Sequence, residues 1–162
     1  MAALLARHRM VTVTGPGGSG KTRLAIEVAR GVVSRFEDGV WLVEQAQIEH
    51  PGLVPTAAAI ALGVREQPGL SLAESLAAVI GGRHVLLVLD NCEHVIDAAA
   101  GLCDGLLRVG DDLRVLATGR EPLGWRGRSG SAAATAGAGR RDAGGACGMR
   151  VRRAFRRPCR PG

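Results

Sequence analysis

Eight consecutive residues, Gly15-Pro16-Gly17-Gly18-Ser19-Gly20-Lys21-Thr22, follow the pattern G-x-x-x-x-G-K-[ST], the Walker A or P-loop motif. The chemistry such a run can do is capture of a triphosphate. Glycines let the backbone turn tightly and bring its N–H groups against phosphate oxygens, because no Cβ intervenes. The first turn of a following helix adds unpaired N–H groups and the positive end of its dipole. In that setting Lys21 reaches the β- and γ-phosphates, and the Thr22 hydroxyl is an oxygen ligand for Mg²⁺. Gly15, Pro16, Gly17, Gly18, Ser19, Gly20, Lys21 and Thr22 are therefore the candidate nucleotide-binding residues. The bland alternative is a chance match in a chain holding 24 glycines among 162 residues.

Two further stretches carry candidate chemistry. Val85-Leu86-Leu87-Val88-Leu89 is an unbroken apolar run, followed by Asp90. A run of that kind suits a strand buried on both faces, as in a parallel sheet covered by helices. An acid at its carboxyl end stands where open α/β sheets bind ligands. Asp90 reads either as a Walker B acid holding hydrated Mg²⁺ or as a helix N-cap. With a P-loop upstream, the Walker B reading is favoured. Thr22 and Asp90 are then the candidate metal-site residues. Arg120 follows a second apolar run, Leu113 to Thr118. It is placed to touch a γ-phosphate, against the alternative of a solvated surface arginine.

These residues need a scaffold. Met10 to Thr14 is the strand leading into the P-loop, and Arg23 to Val33 the helix leading out, with Leu24, Ala25, Val28, Ala29 and Val32 at helical spacing. Val40 to Val43 is a buried-type strand, with Trp41 a core residue before a base-stacking platform. Pro51 and Pro55 open a helix through Leu53 to Leu62, ended by Gly63. Ser71 and Glu74 form a capping box for a helix reaching Ile80. A helix from Glu93 to Val109 buries Val95, Ala99, Leu102 and Leu106, flanked by Ile96, Cys103 and Leu107. The fold class is α/β: a three-layer P-loop NTPase fold with a parallel sheet, plus a tail.

Composition limits the function classes. The formal charge of +6 invites a nucleic-acid reading, but its location argues otherwise. Residues 1–124 carry 11 Lys+Arg against 14 Asp+Glu, whereas residues 125–162 carry 10 Arg against one Asp. The case for DNA binding is only as good as the tail. No apolar run approaches the roughly 20 residues of a membrane span, and the first nine residues lack the pattern of a signal peptide. A cytoplasmic location follows as the expectation, with no membrane partner. Cys92, Cys103, Cys147 and Cys159 show no C-x-x-C spacing, and are read as reduced thiols serving neither a disulfide framework nor zinc.

Two domains are expected: residues 1–124 as the P-loop unit, and residues 125–162 as a tail in which 26 of 38 residues are Arg, Gly or Ala. With no apolar periodicity, the tail is expected to be disordered. It is either a basic arm for nucleic acid or acidic partners, or an out-of-frame translation. The possible codons from Trp125 onward, shifted by one nucleotide, permit a Gly-Glu-Val-Val-like start and a Leu/Pro/Val-rich run at Ser131 to Ala138.

The segments VTVTGPGGSGKTRLAIEVA, DGVWLVE, LLVLDNCEHV and LRVLATGREPLG, in this order and spacing, resemble the ATPase domain of the STAND class. More narrowly, they resemble the NB-ARC-like ATPase of bacterial LuxR-type and SARP-type transcriptional regulators. The resemblance covers Met1 to Gly124, about three-quarters of the chain. It implies a domain that binds ATP (or ADP) and Mg²⁺, hydrolyses slowly and switches conformation, with nucleotide state gating self-oligomerisation and an attached DNA-binding effector. It casts Gly15 to Thr22 as Walker A, Leu86 to Asp90 as Walker B and Arg120 as the sensor arginine, with Lys21, Asp90, Glu93 and Arg120 as the catalytic set. Gly119 stands where these proteins usually have Ser or Thr, and so offers no hydroxyl. Asn91 stands where relatives often carry a second acid, and an amide is a poor general base. Glu93 is the nearest carboxylate and the candidate for orienting water. Weak or absent ATPase activity is expected.

The resemblance also implies that the strand beside Met10–Thr14 comes from beyond Gly124. Without it the sheet is incomplete at its C-terminal end, and Met10–Thr14 is expected as an exposed edge with marginal stability. No winged-helix, repeat or helix-turn-helix segment is recognisable, so the chain reads as a truncated fragment of a regulator, functional or not. The competing classes are a free-standing P-loop small-molecule kinase, against which stands the lack of an Arg-rich lid, and a nucleic-acid binder acting through its tail.

Overall fold

The computed structural model describes residues 1–124 and 134–138. Its centre is a five-stranded sheet built from β1 (Met10–Thr14), β2 (Val40–Glu44), β3 (Leu86–Asp90), β4 (Arg114–Gly119) and β5 (Ala134–Gly137), in the order β2-β3-β4-β1-β5. Every neighbouring pair is parallel. All carboxyl ends therefore fall along one edge, where Glu44 pairs with Asp90 and Thr14 with Gly119.

Alternation along the strands divides the core between the two faces. Val11, Val13, Leu86, Val88 and Leu116 belong to one buried cluster, joined by Leu5 of α1 (Ala2–Arg7) and by Ala25, Ala29 and Val32 of α2 (Lys21–Val32). Their neighbours in sequence, Met10, Leu87, Leu89, Val115 and Ala117, belong to the other. That second cluster is covered by α3 (Val54–Leu62), α4 (Leu72–Ile80) and α5 (Ile96–Val109), with Ala58, Leu76, Leu102 and Leu106 fully or nearly buried. A strand such as β3 thus has no solvent face, which is why its sequence shows no polar alternation.

Local signals act where expected. The Ser71 hydroxyl accepts from Glu74 N–H at 3.3 Å while the Glu74 carboxylate accepts from Ser71 N–H at 2.7 Å, closing the capping box of α4. These bonds hold the Glu74 carboxyl below its ordinary range, the Ser71 side chain acting first and its backbone second. Gly63 ends α3 with φ 67°. Trp41 is half-buried against the second cluster, its indole N–H donating to the Asp38 carbonyl at 3.0 Å. No helix among the described residues is long and apolar enough to cross a membrane.

One expectation is overturned. β1 is not an edge: β5 pairs with it in parallel from Val11↔Ala134 to Thr14↔Gly137, and the Ala138 N–H donates to the Thr14 carbonyl at 2.8 Å. The outer backbone groups of β1 require partners, and a strand satisfies them through its main chain whatever its side chains. Ala134 and Ala138 also pack against the α2-side cluster. Ala134–Gly137 is therefore ordered strand where a structureless tail was expected, and the reason given for marginal stability is removed. The rest of the tail, with its basic-arm and out-of-frame readings and with Cys147 and Cys159, lies outside the described residues.

Candidate nucleotide site

β1 runs directly into the glycine-rich loop, and the loop into α2. Gly18 and Gly20 take φ values of 74° and 80°, the left-handed region where a side chain is strained. Gly20 is the N-cap of α2 and Lys21 its first residue. The loop thereby folds back toward the sheet with the α2 N-terminus aimed into its mouth. Ser19 Oγ is buried there and finds no hydrogen-bond partner among the described residues.

Lys21 is only 8% exposed. Its ammonium donates to the Gly15 carbonyl at 2.8 Å and the Pro16 carbonyl at 3.0 Å, and stands 3.4 Å from Glu93 Oε1. The second oxygen of Glu93 is 2.7 Å from Arg120 Nε. Arg120 reaches over the loop: a Cβ built on Gly17 would stand 3.8 Å from Arg120 Nη2. Lys21, Glu93 and Arg120, from three different segments, thus form one charge relay.

Asp90 sits beside it. Its carboxylate accepts from Thr22 Oγ1, at 2.8 and 3.1 Å from its two oxygens, and from Thr118 Oγ1 at 2.6 Å. The Thr118 hydroxyl in turn accepts from the Asn91 N–H at 2.9 Å. That bond ties down Asn91, the one non-glycine among the described residues with positive φ, at 62°. Left-handed Asn91 turns the chain out of β3 so that Glu93, in the single 3-10 turn Cys92–His94, faces the loop.

A cleft of about 680 Å³ opens over these groups, lined by the loop from Gly17 onward, the outer face of α2 at Arg23, Ile26 and Arg30, and Asn91, Glu93, Thr118 and Arg120. Asp90 does not line it. It stands behind the hydroxyls of Thr22 and Thr118, which do. The donor set fits a hydrated hard cation held mainly through waters and hydroxyls, with a carboxylate behind.

The structure brings Gly15–Thr22, Asp90, Glu93 and Arg120 to one place. Glu93 is paired with two cations, a position that the water-orienting reading does not anticipate. Gly119 is buried at the end of β4 without a hydroxyl, and Thr118, one residue earlier, supplies one instead. Sequence reasoning missed Thr118. Its signal was a hydroxyl in an otherwise apolar buried strand, where a polar group needs a partner. Cys92 and Cys103 are free and buried. Burial first, then the charge of Asp90, pushes the Cys92 thiol up to about 12. Burial likewise raises the Cys103 thiol above its ordinary range. Both are packing residues, not nucleophiles.

Comparison with known proteins fits this geometry. No family model matches the chain. Proteins named "Putative HTH-type transcriptional regulator" from Mycobacterium bovis and Mycobacterium tuberculosis are 50% identical over 127 residues, which are 78% of this chain and 14% of each relative. The chain thus spans about one-seventh of the length of those relatives. Among solved structures, a Signal Transduction ATPase with Numerous Domains (STAND) protein with a tetratricopeptide repeat sensor, from Pyrococcus horikoshii, superposes with a TM-score of 0.56 at 13% identity, over 83% of this chain and 22% of that one.

 A chain of Drosophila ORC bound to DNA superposes with a TM-score of 0.56 at 18% identity, over 80% of this chain and 37% of that one. At such identities the likeness concerns the fold, which is that of the P-loop NTPases.

Proposed function

We propose that residues 1–124 form a nucleotide-binding switch domain that takes Mg²⁺ with ATP or ADP, as in STAND-type transcriptional regulators of the LuxR or SARP kind. The observation that carries this reading is the meeting of four separate chain segments over one cleft: the loop with Lys21 and Thr22, Asp90 behind Thr22, Glu93, and Arg120 across Gly17. The 50% identity to proteins named as HTH-type regulators supports the regulatory half of the reading.

Each group has a task in it. The N–H groups of the loop and the α2 N-terminus hold the β-phosphate. Lys21 moves from the Gly15 and Pro16 carbonyls to phosphate oxygens. Thr22 contributes an oxygen to the cation, with Asp90 oriented behind it by Thr118. Mg²⁺, when bound, would be held by Thr22 with Asp90 behind it and would supply charge neutralisation for the phosphates. Arg120 reads the γ-phosphate. Asn91 offers no base, so hydrolysis is slow. Self-association and an attached DNA-binding effector would carry the output, in a cytoplasmic setting.

Titration calorimetry with Mg·ATP tests the reading. Lys21→Ala should lose about tenfold or more in affinity, the scale of a lost charged hydrogen bond to phosphate. Equal affinity in the two proteins would refute it.

A further inference from the structure

We propose that Glu93 is the residue by which the cleft discriminates a triphosphate from a diphosphate, acting as a carboxylate fork that holds Lys21 on one oxygen and Arg120 on the other. The inference rests on the nucleotide reading above and deepens it.

Three observations carry it. The first is the division of labour within one carboxylate, Oε1 lying 3.4 Å from Lys21 Nζ and Oε2 2.7 Å from Arg120 Nε. The second is the placement of the two cations. Lys21 is buried under the loop, bonded to the Gly15 and Pro16 carbonyls, whereas Arg120 is 69% exposed and lies across Gly17 from outside. The third is that the backbone leading into Glu93 is anchored. Glu93 sits in the single turn after Asn91, whose left-handed backbone is pinned by the Thr118 hydroxyl, itself bonded to Asp90.

The consequence follows from reach. A phosphate seated in the loop competes with Glu93 for Lys21 first, because Lys21 belongs to the loop. The Arg120 half of the fork is untouched until a further phosphate extends outward beyond the one Lys21 holds. A diphosphate therefore breaks the contact at 3.4 Å and leaves the 2.7 Å pair in place. A triphosphate must break both. Glu93 thus sets a threshold that only the γ-phosphate crosses, and crossing it releases Arg120 from the β3–α5 connection. That release is the conformational signal of the switch. Because Glu93 acts by holding Lys21 and Arg120, it is a positioning residue and not a catalytic base.

The test is a double-mutant cycle read by calorimetry on the full chain, with Mg²⁺, ADP and a non-hydrolysable ATP analogue, so that turnover does not enter. Glu93→Gln keeps the size of the side chain and removes its charge. It should bind the triphosphate analogue about two- to fivefold more tightly than wild type, the scale of a partly exposed ion pair. Its ADP affinity should rise by less, since only the Lys21 half of the fork is then relieved. In an Arg120→Gln background, the added preference for triphosphate should vanish, since no Arg120 pair remains to be broken.

Unchanged or weaker triphosphate binding by Glu93→Gln overturns the proposal. So does a preference that persists in the Arg120→Gln background, because Glu93 is then only a negative charge near an anion. The two readings fail differently. If wild type binds both nucleotides and Lys21→Ala does not, while Glu93→Gln matches wild type, the nucleotide site stands and the fork falls. If wild type binds neither, both fall.

Discussion

The P-loop strand has two flanks, built on opposite plans. On the β4 and β3 side, each strand end delivers side chains to the loop: Thr118 and Arg120 from β4 and its exit, Asp90 and Glu93 from β3 and the turn after it. On the β5 side the delivery is main-chain hydrogen bonds backed by the methyls of Ala134 and Ala138. The Ala138 N–H closes the ladder on Thr14, and the Ala138 methyl comes to 3.5 Å from the position of a Cβ on Gly15. One flank offers charge and hydroxyls, and the other offers only hydrogen-bonded and apolar support. Such a division predicts that substitutions on the first flank change what binds, while substitutions on the second change how firmly the loop is held.

The largest separation should come from Asp90→Asn. The amide keeps the shape but loses the charge behind Thr22, so Mg²⁺-dependent nucleotide affinity should fall about 10- to 100-fold, the range for groups that orient a metal's ligands. Nucleotide binding without Mg²⁺ should change much less. Calorimetry with and without Mg²⁺ measures both, and equal losses in the two would erase the assigned role of that flank.

The β5 flank is broken by Ala138→Pro, which removes the donor to the Thr14 carbonyl. An acceptor left unpaired beside the loop costs about 1–3 kcal/mol, visible as a lower melting temperature. The effect on stability should exceed the effect on the ratio of triphosphate to diphosphate affinity. A normal melting temperature would mean that β1 does not depend on this pairing.

The same contrast explains what the sequence made legible. Side-chain chemistry announces itself: Gly15–Thr22, the Val85–Leu89 run before Asp90, and Arg120 after a second apolar strand could all be placed before any coordinates. So could the faces of α2 and α5, whose apolar spacing matches the buried residues observed. β5 could not, because Ala134-Thr135-Ala136-Gly137 has neither apolar alternation nor β-branched bulk beyond a single threonine. It is recruited by the unmet hydrogen bonds of β1, a demand that belongs to the neighbour and not to the strand itself. Glu93 was found as a carboxylate, but its partners lie 72 positions upstream and 27 downstream in sequence, and only the β3-β4-β1 order of the sheet, with their carboxyl ends along one edge, brings them together.

The finest distinction lies within β4, between Thr118 and Gly119. By resemblance, the hydroxyl should come from position 119, yet Thr118 makes the bonds to Asp90 and to the Asn91 N–H. Thr118→Val keeps the shape of the side chain but leaves a buried N–H and a carboxylate each one partner short. It should cost about 1–3 kcal/mol and weaken Mg²⁺-dependent binding, while Thr118→Ser restores most of both. Gly119→Ala should do far less. Its new Cβ would meet the Glu121 carbonyl oxygen at 3.2 Å, which asks a loop residue to give by a few tenths of an ångström, and no hydrogen bond is lost. If Gly119→Ala weakens Mg²⁺-dependent binding as much as Thr118→Val, then the shape of the strand end, and not the Thr118 hydroxyl, is what holds Asp90 in place.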